Sequence, residues 1–178
     1  ARISWFAKVL GSLKLKSVGI LAQILEKLFP DRAKIRIFDS GSGDKLAAIN
    51  GLTTAMPGVQ LSVTAADVAG ESLRKLCGFN ESQGGGSLSV DKVVYQDLGG
   101  ELDAGEDKDS YDVFSAGNVL HQLMDGQRGE KNLGKVMRFA TDIVRTGGVV
   151  YLQDVGESAY LQFPVIPGNL VDREGCLP

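Results

Sequence analysis

Short apolar segments alternate with segments of helical periodicity along most of this sequence, and this alternation limits the possible folds more than any other feature. Strands are predicted over residues 35–38, 59–65, 93–95, 111–116 and 148–152. Helices are predicted over residues 13–29, 45–55 and 133–144, with another beginning at residue 71. Because parallel strands need crossover connections, which are nearly always right-handed, we expect a mostly parallel, twisted sheet with helices on both faces.

The segments between these elements are polar or rich in glycine. The first helix carries an apolar stripe and ends before Pro30. Its stripe consists of Val18, Leu21, Ile24, Leu25 and Leu28. Residues 80–89 predict a flexible surface loop. Residues 97–112 contain seven acidic residues and one lysine, which predicts a solvated connection.

Length and charge limit the organisation further. A chain of 178 residues suits one compact core, and 43% hydrophobic with 23% charged residues excludes wholesale disorder. No apolar run is long enough for a membrane span. Residues 1–36 carry a charge of +6, which leaves −9 for the remainder. We therefore divide the chain into a basic, helical amino-terminal segment (1–32) and an α/β domain (33–178), and the basic segment is a candidate contact for RNA or an acidic partner, or simply a solvated helix face.

Cysteine and histidine are scarce. Cys77 and Cys176 lie too far apart in sequence for a disulfide framework, and His121 is the sole histidine, so no metal site is expected. We expect Cys77 to pack in the core and the protein to be intracellular, in the cytoplasm or in an organelle.

Polar residues and glycines follow the predicted strands. The first strand runs into Asp39, Gly41 and Gly43, the second into Asp67, the third into Asp97, and the fourth into Gly117 and Asn118. Ligands of open parallel sheets bind beyond the carboxyl ends of the strands, where glycines allow close approach. An acid 24 residues after Gly43 suits the two hydroxyls of a ribose.

Five segments together resemble the class I S-adenosylmethionine-dependent methyltransferases, which have a Rossmann-like fold. Residues 37–43, with the sequence IFDSGSG, resemble the family's first motif, in which an acid precedes a glycine turn. The other resembling segments are residues 66–68, 96–98, 111–123 and 143–150. The resemblance covers roughly residues 33–154, and these motifs follow one another in the family's order.

The resemblance implies S-adenosylmethionine as cofactor and a methyl acceptor that is a small molecule, a protein or RNA. It implies that Asp67 binds the ribose and Asp97 the adenine amino group. The full set of implied cofactor residues is Asp39, Gly41, Ser42, Gly43, Asp67, Val68, Asp97, Leu98 and Asn118. Carboxylates also suit a ligand with hydroxyl and amino donors and a positive sulfonium. His121 is the candidate general base, or else a residue at the pocket edge.

Two departures from the family pattern leave alternatives open. Lys45 stands where a third glycine is usual, and only 24 residues follow Asp154, so the family's final hairpin is expected to be short or missing. The main hypothesis is a methyltransferase. The alternatives are a non-catalytic, methyltransferase-like subunit with an assembly role, for example in a ribonucleoprotein, and a nicotinamide-dependent oxidoreductase, which the glycine spacing disfavours.

Overall fold

A single parallel sheet organises the part of the chain that the computed structural model describes, residues 18–44, 46–80, 86–117 and 129–153. Its strands are β1 (Lys34–Ser40), β2 (Gln60–Asp67), β3 (Leu88–Tyr95), β4 (Tyr111–Gly117) and β5 (Val144–Gln153). The strand order is β3-β2-β1-β4-β5, and every neighbouring pair is parallel. The strand order reverses at β1, and the predicted Rossmann-like methyltransferase fold with a parallel sheet is confirmed. The prediction of a short or missing final hairpin concerns residues 154–178, which lie outside the described residues.

Helices cover both faces of this sheet. They are α1 (residues 18–28), α2 (Ala47–Ala55), α3 (Gly70–Cys77) and α4 (Gly129–Ile143). Side chains of α1, α2 and α3 pack on one face against Ile35 and Ile37 of β1. Side chains of α4 pack on the other face, against Phe38. Successive β1 residues alternate between the two cores because side chains alternate across a strand. No helix of the described residues is long and apolar enough to cross a membrane.

The second core is built around aromatic rings. Phe38 and Phe114 stack with centroids 5.9 Å apart, and Phe139 of α4 meets both rings edge-on. Such edge and offset arrangements add stabilisation beyond the burial of apolar area. They fix α4 against the central strands β1 and β4.

The amino-terminal helix packs into the same core as the sheet. Val18, Leu21 and Leu25 are buried, as the predicted stripe requires, whereas Leu28 is 37% exposed and Phe29 is buried in its place. The helix ends before residue 29, and the side chain of Phe29 packs in the same core as Ile35 and Ile37 of β1. Residues 1–17 lie outside the described part of the chain, and the predicted boundary at residue 32 stays a prediction.

Three local predictions are wrong. The predicted loop 80–89 extends too far, because β3 begins at Leu88. Val144, predicted in a helix, begins β5, so that strand is longer than predicted and includes the expected turn at residues 146–147. The pairing of β4 with β5 shifts register between Tyr111 and Val113, which accommodates this glycine-containing stretch. Cys77 is exposed, because it is the last residue of α3 and lies beyond the buried Leu76.

The acidic connection 97–112 is less solvated than its composition predicts. Leu98 packs in the second core, and the hydroxyl of buried Tyr111 lies 2.9 Å from that of Thr64 and donates to Asp107 at 3.2 Å. Burial raises the pKa of Tyr111. These contacts hold the connection, which includes a short 3-10 helix at Gly105–Asp107, against the sheet.

Asp112, the last of these acidic residues, is buried and forms several polar contacts. Its side chain is 4% exposed and forms ion pairs with Arg32, at 2.9 Å, and with Arg145. Its second oxygen accepts the backbone N–H of Arg36 at 2.8 Å. One carboxylate therefore joins the amino-terminal regions of β1, β4 and β5, at a residue that the sequence analysis placed both in a predicted strand and at the end of a solvated connection.

We predict that Asp112→Ala lowers the free energy of unfolding by about 2–4 kcal/mol, because it leaves two guanidinium groups and a backbone N–H without their acceptor. Chemical denaturation measures this change. The control is Glu71→Gln, which removes an exposed ion pair with Arg74 and should leave the midpoint nearly unchanged. Equal effects of the two substitutions would contradict the role given to Asp112.

Candidate functional site

The glycine turn after β1 is the centre of the candidate site. Gly41 and Gly43 have φ of 72° and 62°, in the left-handed region that favours glycine. The backbone N–H groups of Gly41 and Ser42 both donate to the carbonyl oxygen of Ala66, at 2.8 and 3.1 Å. The buried hydroxyl of Ser42 donates to the carbonyl oxygen of Asp39 at 2.6 Å. The turn is thus fastened to the end of β2.

Asp67 continues this attachment with its side chain. One carboxylate oxygen accepts the N–H of Gly43 at 2.8 Å, and the other accepts the N–H of Ala69 at 2.8 Å. A carboxylate has about four lone-pair sites, so each oxygen keeps the capacity to accept another donor. Asp67 therefore fixes the turn and can still accept two ligand hydroxyls.

Gln96 joins the third strand to this arrangement. Its N–H donates to the carbonyl oxygen of Asp67 at 3.0 Å, and its side-chain oxygen accepts the hydroxyl of Ser40 at 3.0 Å. The ends of β1, β2 and β3 are thereby linked by a chain of hydrogen bonds. The sequence signal for Gln96 was its place directly after a strand. The predicted cofactor residues that follow β3, however, start one residue later, at Asp97.

The remaining predicted residues after β2 and β3 have different environments. Asp97 is exposed, and its carboxylate accepts the N–H of Gly99 at 2.8 Å. Val68 is 55% exposed, whereas Leu98 is buried in the second core beneath the strand ends. Asp67, Val68 and Asp97 are thus the accessible side chains of this set. The contacts assigned to each of them with the cofactor stay predictions.

Two glycines lie just beyond β1 and at the end of β4. No described atom lies within 4 Å of a Cβ built on Gly43 or on Gly117. Among the described residues, nothing prevents a ligand from approaching either position closely. Asn118, His121 and Lys45 lie outside the described residues, so their predicted roles remain predictions.

The strand interiors below the glycine turn carry three buried polar side chains, of which the sequence analysis identified Asp39 but neither Ser115 nor Tyr151. Asp39 pairs in register with Ser115 of β4, and Ser115 pairs with Tyr151 of β5. All three residues are at most 4% exposed. The hydroxyl of Tyr151 donates to the side-chain oxygen of Gln153 at 3.4 Å. Buried polar side chains of β1, β4 and β5 therefore lie beneath the candidate site.

A charged pair lies on one side of the turn. Lys75 of α3 forms an ion pair with Asp44 at 3.1 Å, and this hydrogen bond raises the pKa of Lys75. The pair is largely exposed, so its contribution to stability is small. It ties the loop after Gly43 to α3, the helix that follows Asp67.

Comparison with known proteins places this fold in a structural class. No protein-family model and no curated protein sequence matches the chain. Among solved structures, BpumL, the plantazolicin methyltransferase in complex with SAH, matches with a TM-score of 0.54 and 12% identity over 87% of this chain and 52% of its own. The CurJ carbon methyltransferase matches with a TM-score of 0.52 and 19% identity over 79% of this chain and 35% of its own.

The chain has the class I methyltransferase fold. A SAM-dependent methyltransferase from Aquifex aeolicus also matches, with a TM-score of 0.50 and 13% identity over 77% of this chain and 64% of its own. The chain therefore spans between about a third and two thirds of the length of these three proteins. The fold positions the glycine turn, Asp67 and Asp97 at the carboxyl ends of adjacent strands, as the class I resemblance implies.

We predict that Asp67→Ala accelerates hydrogen exchange at the amides of Gly43 and Ala69, because both lose their side-chain acceptor. The substitution should also lower the free energy of unfolding by about 1–2 kcal/mol. Native-state exchange followed by NMR measures the first effect. The control is Asp103→Ala, which removes an equivalent carboxylate contact to Gly105 elsewhere. Unchanged protection of Gly43 would contradict the role given to Asp67.

We also predict that Gly43→Ala lowers the free energy of unfolding by about 1 kcal/mol, because the backbone conformation at φ 62° is unfavourable for a residue with a Cβ. Steric crowding does not contribute, since the added methyl group would meet open space. The control is Gly70→Ala in α3, also in open space but without a positive φ, which should leave stability unchanged or raise it. Thermal denaturation compares the two, and equal effects would exclude the conformational explanation.

Proposed function

We propose that this chain binds S-adenosylmethionine and transfers its methyl group to an acceptor. The observation that carries the proposal is the contact between Asp67 and Gly43, which joins the acid after β2 to the glycine turn after β1. The two groups that the family resemblance assigns to one ligand therefore lie within hydrogen-bond distance of each other. The fold shared with SAM-dependent methyltransferases supports the same reading.

The residues at the carboxyl ends of the strands fit this cofactor chemically. Asp67 has lone pairs left to accept two ribose hydroxyls, and Asp97 is an exposed acceptor for the adenine amino group. Val68 offers an exposed apolar side chain beside Asp67 for the adenine ring. The backbone N–H groups of Gly41, Ser42 and Gly43 already donate to acceptors on β2. They are therefore not available to bind a pyrophosphate.

When bound, the cofactor supplies an electrophilic methyl group on a positive sulfonium. The part of this chain is to position that group beside an acceptor and to exclude water, which provides much of the acceleration of a direct displacement. The buried carboxylate of Asp39 would supply negative potential that favours a positive sulfonium. In this proposal Asn118 contacts the methionine portion, and His121 is the group available to remove an acceptor proton.

Calorimetric titration with S-adenosylmethionine and S-adenosylhomocysteine tests the cofactor half of the proposal. We expect micromolar binding, and we expect Asp67→Ala to weaken it by about 5- to 150-fold, which corresponds to ~1–3 kcal/mol for the lost hydrogen bonds. The matched control, Asp103→Ala, removes a carboxylate outside the predicted cofactor residues and should bind like the wild type. A folded wild-type chain that binds neither compound would overturn the proposal.

Methyl transfer needs its own measurement. Incubation of the chain with tritiated S-adenosylmethionine and fractionated cell extract should label an acceptor, and Asp67→Ala should reduce that labelling in proportion to its lost affinity. Tight cofactor binding without labelling of small molecules, protein or RNA would instead favour a non-catalytic, methyltransferase-like subunit.

A further inference from the structure

A second cleft lies at the opposite end of the sheet from the candidate cofactor site. It has a volume of about 400 Å³ and lies between the end of α1 and the start of β5. The residues that matter for its chemistry are Phe29, Asp31, Arg32, Arg145, Thr146 and Gly147, and we name it the arginine cleft. None of these residues belongs to the proposed methyl-transfer site.

Two arginine side chains and one exposed carboxylate, that of Asp31, line this cleft. Arg32 and Arg145 both donate to the same carboxylate oxygen of Asp112. Two guanidinium groups therefore share one carboxylate, which leaves a charge of +1 at the cluster. Asp112 is 4% exposed and lies behind the arginines, while their own side chains are 41% and 30% exposed. The two guanidinium groups thus face the cleft, where the exposed carboxylate of Asp31 offsets the charge of +1.

The ring of Phe29 holds both arginines in place. The guanidinium carbons of Arg32 and Arg145 lie 5.3 and 5.4 Å from its centroid. Cation–π contacts at this distance orient the planar groups, and the buried carboxylate fixes their inner donors. A guanidinium positioned in advance loses less entropy when it binds an anion.

Each guanidinium retains donors for another ligand. An arginine has five N–H donors, and Arg32 and Arg145 each use one in the hydrogen bonds recorded among the described residues. Thr146 adds a hydroxyl to the cleft. Several donors from two planar groups match the oxygens of a phosphate better than the two oxygens of a carboxylate.

One carboxylate in the cleft opposes an anion. Asp31 is exposed and lines the cleft, and no ion pair of Asp31 is recorded within the described ranges. Its charge would lower the affinity for phosphate without abolishing it, since an exposed charge acts through solvent. Arg32 and Asp31 are therefore neighbouring residues with opposite expected effects on the same ligand.

We propose that the arginine cleft is a phosphate-binding site. Its ligand is inorganic phosphate or the phosphate group of a small phosphorylated molecule, bound by the outer donors of Arg32 and Arg145. The site acts independently of S-adenosylmethionine, because it lies at the amino ends of the strands whereas Asp67 and Asp97 lie at the carboxyl ends.

The experiment is an NMR titration of the full chain at constant ionic strength with inorganic phosphate, ribose 5-phosphate and, as an uncharged control, ribose. We expect saturable shifts at the amides of Thr146 and Gly147 with the two phosphates only. Tighter binding of ribose 5-phosphate would assign the site to a phosphorylated small molecule, and equal or weaker binding would assign it to phosphate itself.

Four variants make the test specific. Arg32→Gln should weaken phosphate binding by about tenfold, and Arg32→Lys, which keeps the charge toward Asp112, should weaken it less. Asp31→Asn, which removes no ion pair recorded among the described residues, should strengthen binding by about two- to threefold. Arg74→Gln, which removes an arginine on α3, should change nothing. Absence of saturable shifts, an effect of Arg74→Gln equal to that of Arg32→Gln, or unaltered binding in Asp31→Asn would overturn the proposal.

Discussion

The pairing of β1 with both β2 and β4 is the constraint on which the rest of this structure depends. The chain builds the sheet outward from β1 to β3 and then returns to add β4 on the other side of β1. The helices that follow β1 and β4 in the described part of the chain, α2 and α4, pack on opposite faces of the sheet. Open parallel sheets bind ligands in the crevice that such a reversal leaves beyond the strand ends. Gly43 and Gly117 lie near these strand ends, and no described atom lies within 4 Å of a Cβ built on either.

Two polar arrangements hold the strands in register at opposite ends. At the carboxyl ends, Asp67 and Gln96 connect the glycine turn with β2 and β3 through backbone N–H groups. At the amino ends, Asp112 connects β1, β4 and β5 through two arginines and a backbone N–H. The first arrangement leaves its carboxylate accessible to a ligand, whereas the second buries its carboxylate and exposes the cations. The two arrangements thus offer opposite kinds of group to a ligand, a carboxylate at one end of the sheet and guanidinium groups at the other.

The sequence was sufficient for the architecture because the strands and helices of this chain have clear periodicities and the motifs keep their order. It was also sufficient to place Asp39, Asp67 and Asp97 at one end of the sheet, since parallel strands end together. It failed where tertiary contacts override composition. Asp112 sits in an acidic stretch that predicts solvent, yet arginines from two distant segments bury it. No local pattern could reveal that Ser115 lies beside Asp39 and Tyr151 beside Ser115, because these pairings follow from cross-strand register alone.

Gly148 shows how closely β4 and β5 are joined after the register shift. A Cβ at this position would lie 2.7 Å from the carbonyl oxygen of Asp112 and would overlap a methyl group of Val144. Any larger residue at position 148 would push β4 and β5 apart and displace Asp112. This close contact between β4 and β5 therefore lies next to Asp112, whose carboxylate also binds the backbone of β1. A single added methyl group at residue 148 would disturb β1, β4 and β5 together.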